Sequence, residues 1–277
     1  VTITVGTLND GFYLEDDGPG IPEEQRGAIF RQGFTTSDAG SGTGLSIVAD
    51  AAHTHGWDIT VTESDGGGAR FEIRNCLVVT PPSNELGTGE ALALTDNCDV
   101  GNPTVSGETV LEEKGRATLR GAGADIYGAD NEFQFAYTEV TGDVRISARI
   151  TDLDPQHSFS KAGLMIRDAL AADARHAHVG QTPEFGTELL WRTEAGEPTV
   201  SQQLQERYDD EWFRIDRVGN EVTCWISPDG DDWHPIDQRS VHFEDPIYVG
   251  LAVSSVVPRN LATGWFENVA IHRLEAR

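Results

Sequence analysis

Short alternating strands separated by regular turns run from about residue 98 to the end of the chain, and this pattern constrains the fold most strongly. In "EWFRIDRVGNEVTCWIS" the dipeptide Gly219-Asn220 fits a two-residue hairpin loop, and pairing outward from it places Ile215 opposite Cys224. One face of the hairpin is then apolar on both strands, which specifies its register. Many such strands without a helix signal predict an all-β sandwich over residues 98–277.

The other face of this hairpin carries two residues that could bind a ligand. The same register puts Arg214 opposite Trp225. If this face is open, the indole could stack on a sugar while the guanidinium adds hydrogen bonds; the alternative is that the face packs on a second sheet. His176 and His178 share one face of another strand and could hold a metal, but no third ligand is in view, so we interpret them as surface histidines.

Residues 1–75 follow a different pattern, in which strands alternate with a helix. "VTITV" and "FYLED" flank the turn at residues 9–11, and "WDITVTES" and "ARFEIRN" flank three glycines at residues 66–68, which predicts two hairpins. Residues 44–55 predict an amphipathic helix, because apolar side chains recur at the spacing i, i+3, i+4, i+7: Leu45, Val48, Ala49 and Ala52.

Composition separates these two parts and limits the possible partners. Proline, glycine and serine after residue 80 predict a linker over 77–97, and hence domains at 1–76 and 98–277. The chain has 46 acidic and 20 basic residues and a net charge of −26, which argues against nucleic acid as a partner. Such an excess in both parts, with only two lysines, resembles proteins of salt-loving archaea, in which high salt screens the self-repulsion.

Three further features narrow the class of protein. No apolar run approaches the length of a membrane span, and no signal peptide is visible. The chain opens with Val1 in a strand pattern, so we expect its natural beginning to be absent, either because it lies upstream in the parent gene or because it has been lost. The three cysteines form no C-x-x-C pair, which gives no indication of zinc; a bridge between Cys76 and Cys98 is one alternative and buried free thiols are the other.

The most specific chemical signal is "DDGPGIPEEQRGAIFRQGFTTSDAGSGTGLSIV", residues 16–48. Asp16 ends a strand, where its carboxylate could accept a hydrogen bond from an exocyclic amine. Gly18 and Gly20 lack a Cβ, so the backbone there can approach a flat ring. Glycines just before the helix, with the helix N-terminus and the Thr43 hydroxyl, form a seat for phosphates: Gly40, Gly42 and Gly44. The pattern therefore predicts a nucleotide, with a loop between the two glycine groups that Phe30 and Phe34 could anchor.

This ordered set resembles the ATP-binding domain shared by histidine kinases, gyrase, Hsp90 and mismatch-repair ATPases. Residues 16–20 resemble its first glycine box, "IFRQGFTT" resembles the phenylalanine box of the histidine kinases, and residues 40–45 resemble its second glycine box. The resemblance covers about residues 1–75 and implies a truncated Bergerat-type α/β sandwich. It also implies that ATP is held by Asp16, Gly18, Gly20, Ile21, Phe30, Phe34, Gly40, Gly42, Thr43, Gly44 and Leu45.

The resemblance implies two-component signalling, in which the γ-phosphoryl group of ATP is transferred to a histidine. In that family a helix before the first strand supplies an asparagine that holds Mg²⁺, and no residue here matches it. We therefore expect that this chain alone does not catalyse the transfer, that residues 1–75 bind ATP weakly, and that a phospho-acceptor histidine domain would act in trans. We interpret His55 as the residue that ends the helix, not as a catalytic base.

The second part resembles the concanavalin-like jelly-roll modules that are appended to many secreted glycosidases. "GADIYG", "FQFAYTEVTGDVRISARI", "FSKAGLMIRDAL" and "WFENVAI" carry the resemblance over about residues 98–273. The predicted fold is thus α+β followed by an all-β jelly roll. The favoured function is an ATP-binding, cytoplasmic signalling protein of the histidine-kinase type. The alternatives are a non-enzymatic carbohydrate- or ligand-binding sandwich with an inert ATPase remnant, and an accidental fusion of two genes.

Overall fold

A computed structural model describes residues 2–8, 11–31, 33–35, 44–54, 57–64, 66–75, 88–204 and 212–275. The chain forms two compact units, Val1–Thr80 and Pro81–Arg277. Within the predicted linker of residues 77–97, Thr88–Leu92 is a strand that pairs with a sheet of the second unit. That part of the linker therefore belongs to the sandwich.

The first unit is one antiparallel sheet with two helices. Its strands are β1 (Ile3–Leu8), β2 (Gly11–Asp16), β3 (Asp58–Glu63) and β4 (Ala69–Arg74), and its helices are α1 (Glu23–Arg26) and α2 (Gly44–Thr54). The sheet order is β1-β2-β4-β3, and both predicted hairpins are present, β1 with β2 and β3 with β4.

One face of this sheet is apolar and only partly covered. Val5, Leu14, Phe71 and Val61 are cross-strand partners, so their side chains share that face. Val61 is buried in a cluster with Ile29, whereas Val5 is 66% exposed. Each Å² of apolar surface left in water forgoes about 25 cal/mol of stabilisation, so the β1 edge contributes little to the stability of this unit.

Helix α2 lies where the apolar spacing predicted it, but the predicted stripe is not buried along its whole length. Ala49 and Ala52 are buried and Leu45 is partly buried, whereas Val48 is exposed. Ser46 is buried instead. The buried face of α2 is therefore rotated from the one that periodicity alone indicated.

The second unit is a sandwich of two antiparallel sheets. Its strands are β5 (Thr88–Leu92), β6 (Asp96–Val100), β7 (Glu108–Glu112), β8 (Arg116–Gly121), β9 (Phe133–Val140), β10 (Val144–Asp154), β11 (Lys161–Arg167), β12 (His176–Thr182), β13 (Gly186–Arg192), β14 (Val200–Leu204), β15 (Trp212–Val218), β16 (Glu221–Ser227), β17 (His234–Ser240), β18 (Ile247–Ser254) and β19 (Ala262–Leu274). A short 3₁₀ turn spans Glu113–Gly115. The eight-stranded sheet has the order β17-β16-β15-β10-β19-β8-β7, with β5 also paired to β19; the seven-stranded sheet has the order β14-β13-β12-β11-β18-β9-β6.

The main core lies between these two sheets. Alternate residues of β10 and β15, such as Ile146 and Phe213, pack against alternate residues of β11 and β12, such as Leu164 and Val179. The predicted hairpin register is confirmed, with Arg214 opposite Trp225 and Ile215 opposite Cys224; Phe213 and Asp216 accordingly lie opposite Ile226 and Thr223.

The seven-stranded sheet is buried on its outer face as well. Phe133, Met165 and Leu190 form a second apolar cluster there, and Ile126 covers it from the loop between β8 and β9. This explains why every residue of β11 and of β13 is buried, although their sequences include charged side chains.

Arg192, at the end of β13, fastens three loops around this outer face. Its guanidinium is fully buried and donates mainly to backbone oxygens, including Gly128 O at 2.8 Å, Ala172 O at 3.0 Å and Glu197 O at 2.8 Å. These acceptors lie in the loops β8–β9, β11–β12 and β13–β14. The side chain of Arg192 therefore links the backbones of three loops.

The structure also bears on the predictions for the cysteines and for membrane spans. Cys98 and Cys224 are free thiols, and burial raises the pKa of both. Cys76, and with it the predicted alternative of a Cys76–Cys98 bridge, lies outside the described residues, as does His55. In the part of the chain that the structure describes, neither helix has the length and hydropathy to cross a membrane.

Candidate functional site

Asp16 lies at the end of β2, where backbone amides hold its carboxylate. Oδ1 accepts hydrogen bonds from Gly18 N at 2.8 Å and from Ala69 N at 3.3 Å. Within the described residues no hydrogen bond reaches Oδ2. One oxygen is therefore fixed by the fold, and the other can accept a hydrogen bond from a ligand.

Ser64 is a positioning residue that the sequence reasoning missed. Its buried Oγ donates to Asp16 O at 2.7 Å and accepts from Gly68 N at 2.9 Å, so it joins the end of β2 to the turn between β3 and β4. The available signal was a serine directly before a glycine-rich turn, where hydroxyls commonly bond to nearby backbone.

The glycines at the end of β2 are needed for close packing of two backbone segments. Gly20 has φ +71°, and a Cβ there would lie 2.8 Å from Gly67 O. A Cβ on Gly68 would lie 2.0 Å from Asp16 O. The turn between β3 and β4 therefore presses directly against the segment that carries Asp16, whereas the approach of a flat ring to these glycines stays a prediction.

The first glycine segment and the start of α2 share one hollow of about 390 Å³. Its lining residues come from the segment after β2, from α1 and its sequel, and from the first turn of α2: Gly20, Ile21, Pro22, Gln25, Ile29, Phe34, Thr35, Gly44 and Leu45. Asp16, Gly18 and Phe30 do not line it. The predicted phosphate-binding residues Gly40, Gly42 and Thr43 lie outside the described residues.

The two predicted anchor rings are both packed against the sheet. Phe30 meets Phe71 edge-on with ring centroids 6.4 Å apart. Phe34 and Leu45 pack against the same small cluster, which is centred on Ile29. These contacts hold the segment after α1 beside the hollow, and the predicted role of this segment as a lid stays a prediction.

Residues 1–78 match the family of histidine kinase-, DNA gyrase B- and HSP90-like ATPases. Residues 1–78 make up most of the first unit, the ATPase-like unit. The two-component sensor PhoQ of Pseudomonas aeruginosa is 41% identical over 68 residues, which are 24% of this chain and 15% of the sensor. The histidine kinase AfsQ2 of Streptomyces coelicolor is 39% identical over 79 residues, which are 27% of this chain and 15% of the kinase. The chain thus spans about a seventh of the length of these relatives.

The sandwich is similar in fold to a solved structure. A functionally unknown protein from Saccharomyces cerevisiae covers 61% of this chain and 97% of its own, with a TM-score of 0.50 and 13% identity. That share exceeds what the ATPase-like unit could supply, so the likeness includes the sandwich. At this identity it concerns the fold alone.

The predicted ligand face of the sandwich is covered, not open. Arg214 is 3% exposed and Trp225 is 1% exposed. The guanidinium lies 4.6 Å from the Trp225 ring centroid, is paired with Asp216, and is itself covered by Trp233 at 5.4 Å. The two side chains fill each other's space on this face, so a ligand cannot reach them here without their displacement.

The two strand histidines are also buried, contrary to the prediction of surface histidines. Burial, and then the charge of Lys161, lowers the pKa of His178 to about 3; burial and the nearby Arg167 and Arg192 hold the pKa of His176 well below its usual value. Both imidazoles are neutral at neutral pH. Among the described residues no group of three or more His, Cys, Asp or Glu could hold a metal ion.

Proposed function

We propose that the ATPase-like unit binds an adenine nucleotide in the hollow between Gly20 and Gly44. The shared hollow supports this most directly, because it brings the two glycine segments of the family pattern to one place. Its volume of about 390 Å³ lies within the range of about 300–1,000 Å³ of small-molecule sites. Ile21, Ile29 and Leu45 give it an apolar lining suited to a purine.

Asp16 and the N-terminus of α2 would hold opposite ends of the nucleotide. Asp16 lies outside the lining of the hollow, so the adenine would extend past Gly20 toward the end of β2. There the Oδ2 atom of Asp16 would accept a hydrogen bond from the exocyclic amine, while Oδ1 stays bonded to the backbone. The N-terminus of α2 would face the phosphates, with Gly40, Gly42 and Thr43 adding further donors.

Phosphoryl transfer to a histidine is a proposal for a larger assembly, because this chain spans only about 15% of the length of the sensors that it resembles. In that assembly a phospho-acceptor histidine domain would act in trans, and Mg²⁺ would bridge the phosphates of ATP. For this chain the proposal is limited to nucleotide binding, in the cytoplasm, where ATP is available.

Isothermal titration of the full chain with Mg-ATP and Mg-GTP tests the nucleotide site. Because guanine carries an oxygen where adenine carries its exocyclic amine, we expect ATP to bind more tightly than GTP, with a Kd above the low-micromolar range. Asp16→Asn should weaken ATP by about 10- to 100-fold, since a hydrogen bond to a charged group contributes about 1.5–3 kcal/mol. Asp17→Asn, at the exposed neighbouring position, is the matched control. Equal affinity for ATP and GTP, or unchanged ATP binding by Asp16→Asn, would contradict the assignment.

The second candidate function is non-enzymatic ligand binding by the sandwich. A cavity of about 360 Å³ opens on the outer face of the seven-stranded sheet, and charged side chains that are almost wholly buried form part of its wall. Complete failure of the chain to bind ATP would leave this function as the favoured one, with the ATPase-like unit inert.

A further inference from the structure

The sandwich contains a buried cluster of charges at its outer cavity. Lys161 is 1% exposed, and its Nζ lies 2.7 Å from Asp125 Oδ1 and 3.1 Å from Glu188 Oε2. Glu188 is 3% exposed. Buried charges are costly unless they are paired, so this cluster persists only because opposite charges meet in it.

Two glycines on adjacent strands leave room for Lys161 to contact Glu188. Lys161 begins β11, Glu188 lies on β13, and β12 runs between them. Opposite Glu188, β12 carries Gly180, and opposite Gly180, β11 carries Gly163. Because neither glycine has a side chain, the lysine can reach across β12 to the carboxylate.

The cluster leaves hydrogen-bonding capacity at the cavity wall. Glu188 is satisfied within the cluster, because its Oε1 accepts a hydrogen bond from Ser201 Oγ at 2.8 Å and its buried Oε2 lies against the ammonium group of Lys161. Asp125 is more open: its side chain is 24% exposed, its Oδ1 accepts hydrogen bonds from Lys161 Nζ and Ile126 N, and for its Oδ2 no donor is found among the described residues. A ligand hydroxyl can therefore donate to Asp125, and the Gln203 amide, which also lines the cavity, can donate to the ligand in return.

Aromatic rings stand at the rim of the same cavity. Tyr127 is 54% exposed, yet its neighbours are held tightly: Ile126 is buried, and Gly128 O accepts hydrogen bonds from Arg192 and from Thr199 N. Across the rim, Phe159 stacks on Phe185 with ring centroids 4.4 Å apart. The cavity thus combines a polar floor with an aromatic ring that is open to solvent and whose neighbouring backbone is held in place.

We propose that this cavity binds one ring of a neutral sugar. Vicinal hydroxyls both donate and accept, which suits a floor with a carboxylate, an ammonium group and an amide, and the C–H face of the sugar ring would stack on Tyr127. A cationic ligand would compete with Lys161, which already lies between the two carboxylates, and an anionic ligand would be repelled by those carboxylates. This assignment rests on the ligand-binding role proposed for the sandwich and is independent of nucleotide binding.

Saturation-transfer difference NMR on the full chain tests the site and the ligand class. The probes are D-glucose, D-galactose, D-mannose and D-fructose, with D-glucuronate and D-glucosamine as charged analogues. We expect at least one neutral sugar to bind with a millimolar Kd, and the charged analogues to bind more weakly. Tyr127→Ala should weaken the bound sugar by about tenfold, and Tyr127→Phe should retain its affinity, because stacking needs the ring and not the hydroxyl.

Two adjacent glutamines on β14 provide a matched pair of variants. Gln203 lines the cavity, and Gln202 points to the opposite face because successive strand residues alternate. Gln203→Ala should weaken the sugar by about threefold, the contribution of one hydrogen bond, while Gln202→Ala should leave the affinity unchanged. Both positions are exposed, so folding should be preserved, and near-UV circular dichroism checks this.

The possible outcomes separate this inference from the proposed ligand-binding role. A charged analogue that binds more tightly than every neutral sugar, and that is weakened by Gln203→Ala, would overturn the ligand class but leave the role intact. Sugar binding that is insensitive to Tyr127→Ala and Gln203→Ala would overturn the site. If none of the six probes gives a transfer signal, both the site and the ligand-binding role fail.

Discussion

Arg192→Ala should destabilise the sandwich by about 3 kcal/mol or more. The buried guanidinium, which has five N–H groups, lies within hydrogen-bond distance of six acceptors, so one N–H of Nη1 is shared: Glu197 O, Asn131 Oδ1, Ala172 O, Ala174 O, Gly128 O and Thr199 Oγ1. Ala172 O and Gly128 O keep a second donor, Asn131 N and Thr199 N respectively, whereas for Glu197 O and Asn131 Oδ1 no other donor is found among the described residues.

The magnitude follows from the bonds that have no replacement. Each hydrogen bond to a charged group contributes about 1.5–3 kcal/mol, so losing two of them costs about 3–6 kcal/mol. Burial lowers the pKa of Arg192, which shows that the charged form pays a desolvation penalty in the fold. Removing that penalty offsets part of the loss and brings the expected value toward its lower end.

Urea unfolding followed by tryptophan fluorescence measures this loss. Five of the six tryptophans lie in the sandwich, so the signal reports mainly on this unit. With a slope of about 2–3 kcal/mol per molar urea, a loss of 3 kcal/mol shifts the midpoint by about 1–1.5 M. The control is Arg120→Ala, whose exposed pair with Glu108 should contribute at most about 0.5 kcal/mol. Equal urea midpoints for the two variants would refute the proposed contribution of Arg192 to the stability of the sandwich.

Three further predictions concern packing, pH and salt. Gly163→Ala should lower the free energy of unfolding by about 1–3 kcal/mol, because its Cβ would lie 2.4 Å from His178 Nε2; Gly128→Ala, in open space at φ +70°, should cost only the backbone strain of about 1 kcal/mol. Below pH 6.5 the unfolded state protonates His178 while the folded state, with its pKa of about 3, does not; this residue should therefore lower the stability by about 1.4 kcal/mol per pH unit between these values, and His178→Gln should remove that contribution while the contribution of His176 stays. Raising the salt concentration from low to molar should raise Tm, because it screens a net charge of −26.

Each of these has an outcome that counts against it. Equal losses for the two glycine variants would mean that the contact with His178 relaxes freely. A pH dependence that is unchanged by His178→Gln, and is instead reduced by the exposed control His234→Gln, would assign the titration to another group. A Tm that falls or stays constant in high salt would exclude the adaptation to salt that the composition predicts.

Local signals made the hairpins predictable, whereas contacts between distant strands were not. The Gly219-Asn220 turn and the apolar partners on either side fix the register of β15 and β16 within one short stretch. Alternation alone could not decide whether the second face of this hairpin is open or covered. The face is covered, because Arg214 and Trp225 lie against each other and Trp233 packs on the guanidinium.

The cavity of the sandwich could not be read from the sequence for a similar reason. Lys161 and Glu188 are 27 positions apart, and their contact depends on a glycine in the strand between them. In a chain this acidic, one more glutamate carries no signal by itself. In the ATPase-like unit, by contrast, the order of the motifs indicated the shared hollow, because both glycine segments adjoin regular elements whose ends meet.

The hydrogen bonds from Arg192 to main-chain oxygens affect which substitutions the surrounding loops can tolerate. Because the guanidinium contacts the peptide groups of Gly128, Ala172 and Glu197, and not their side chains, it would hold other side chains at these three positions as long as Asn131, Thr199 and the backbone path are kept. Residues such as Tyr127 can then be exchanged one at a time without loosening the scaffold beneath them. Natural selection or protein design could therefore change the ligand specificity of the sandwich without changing its fold.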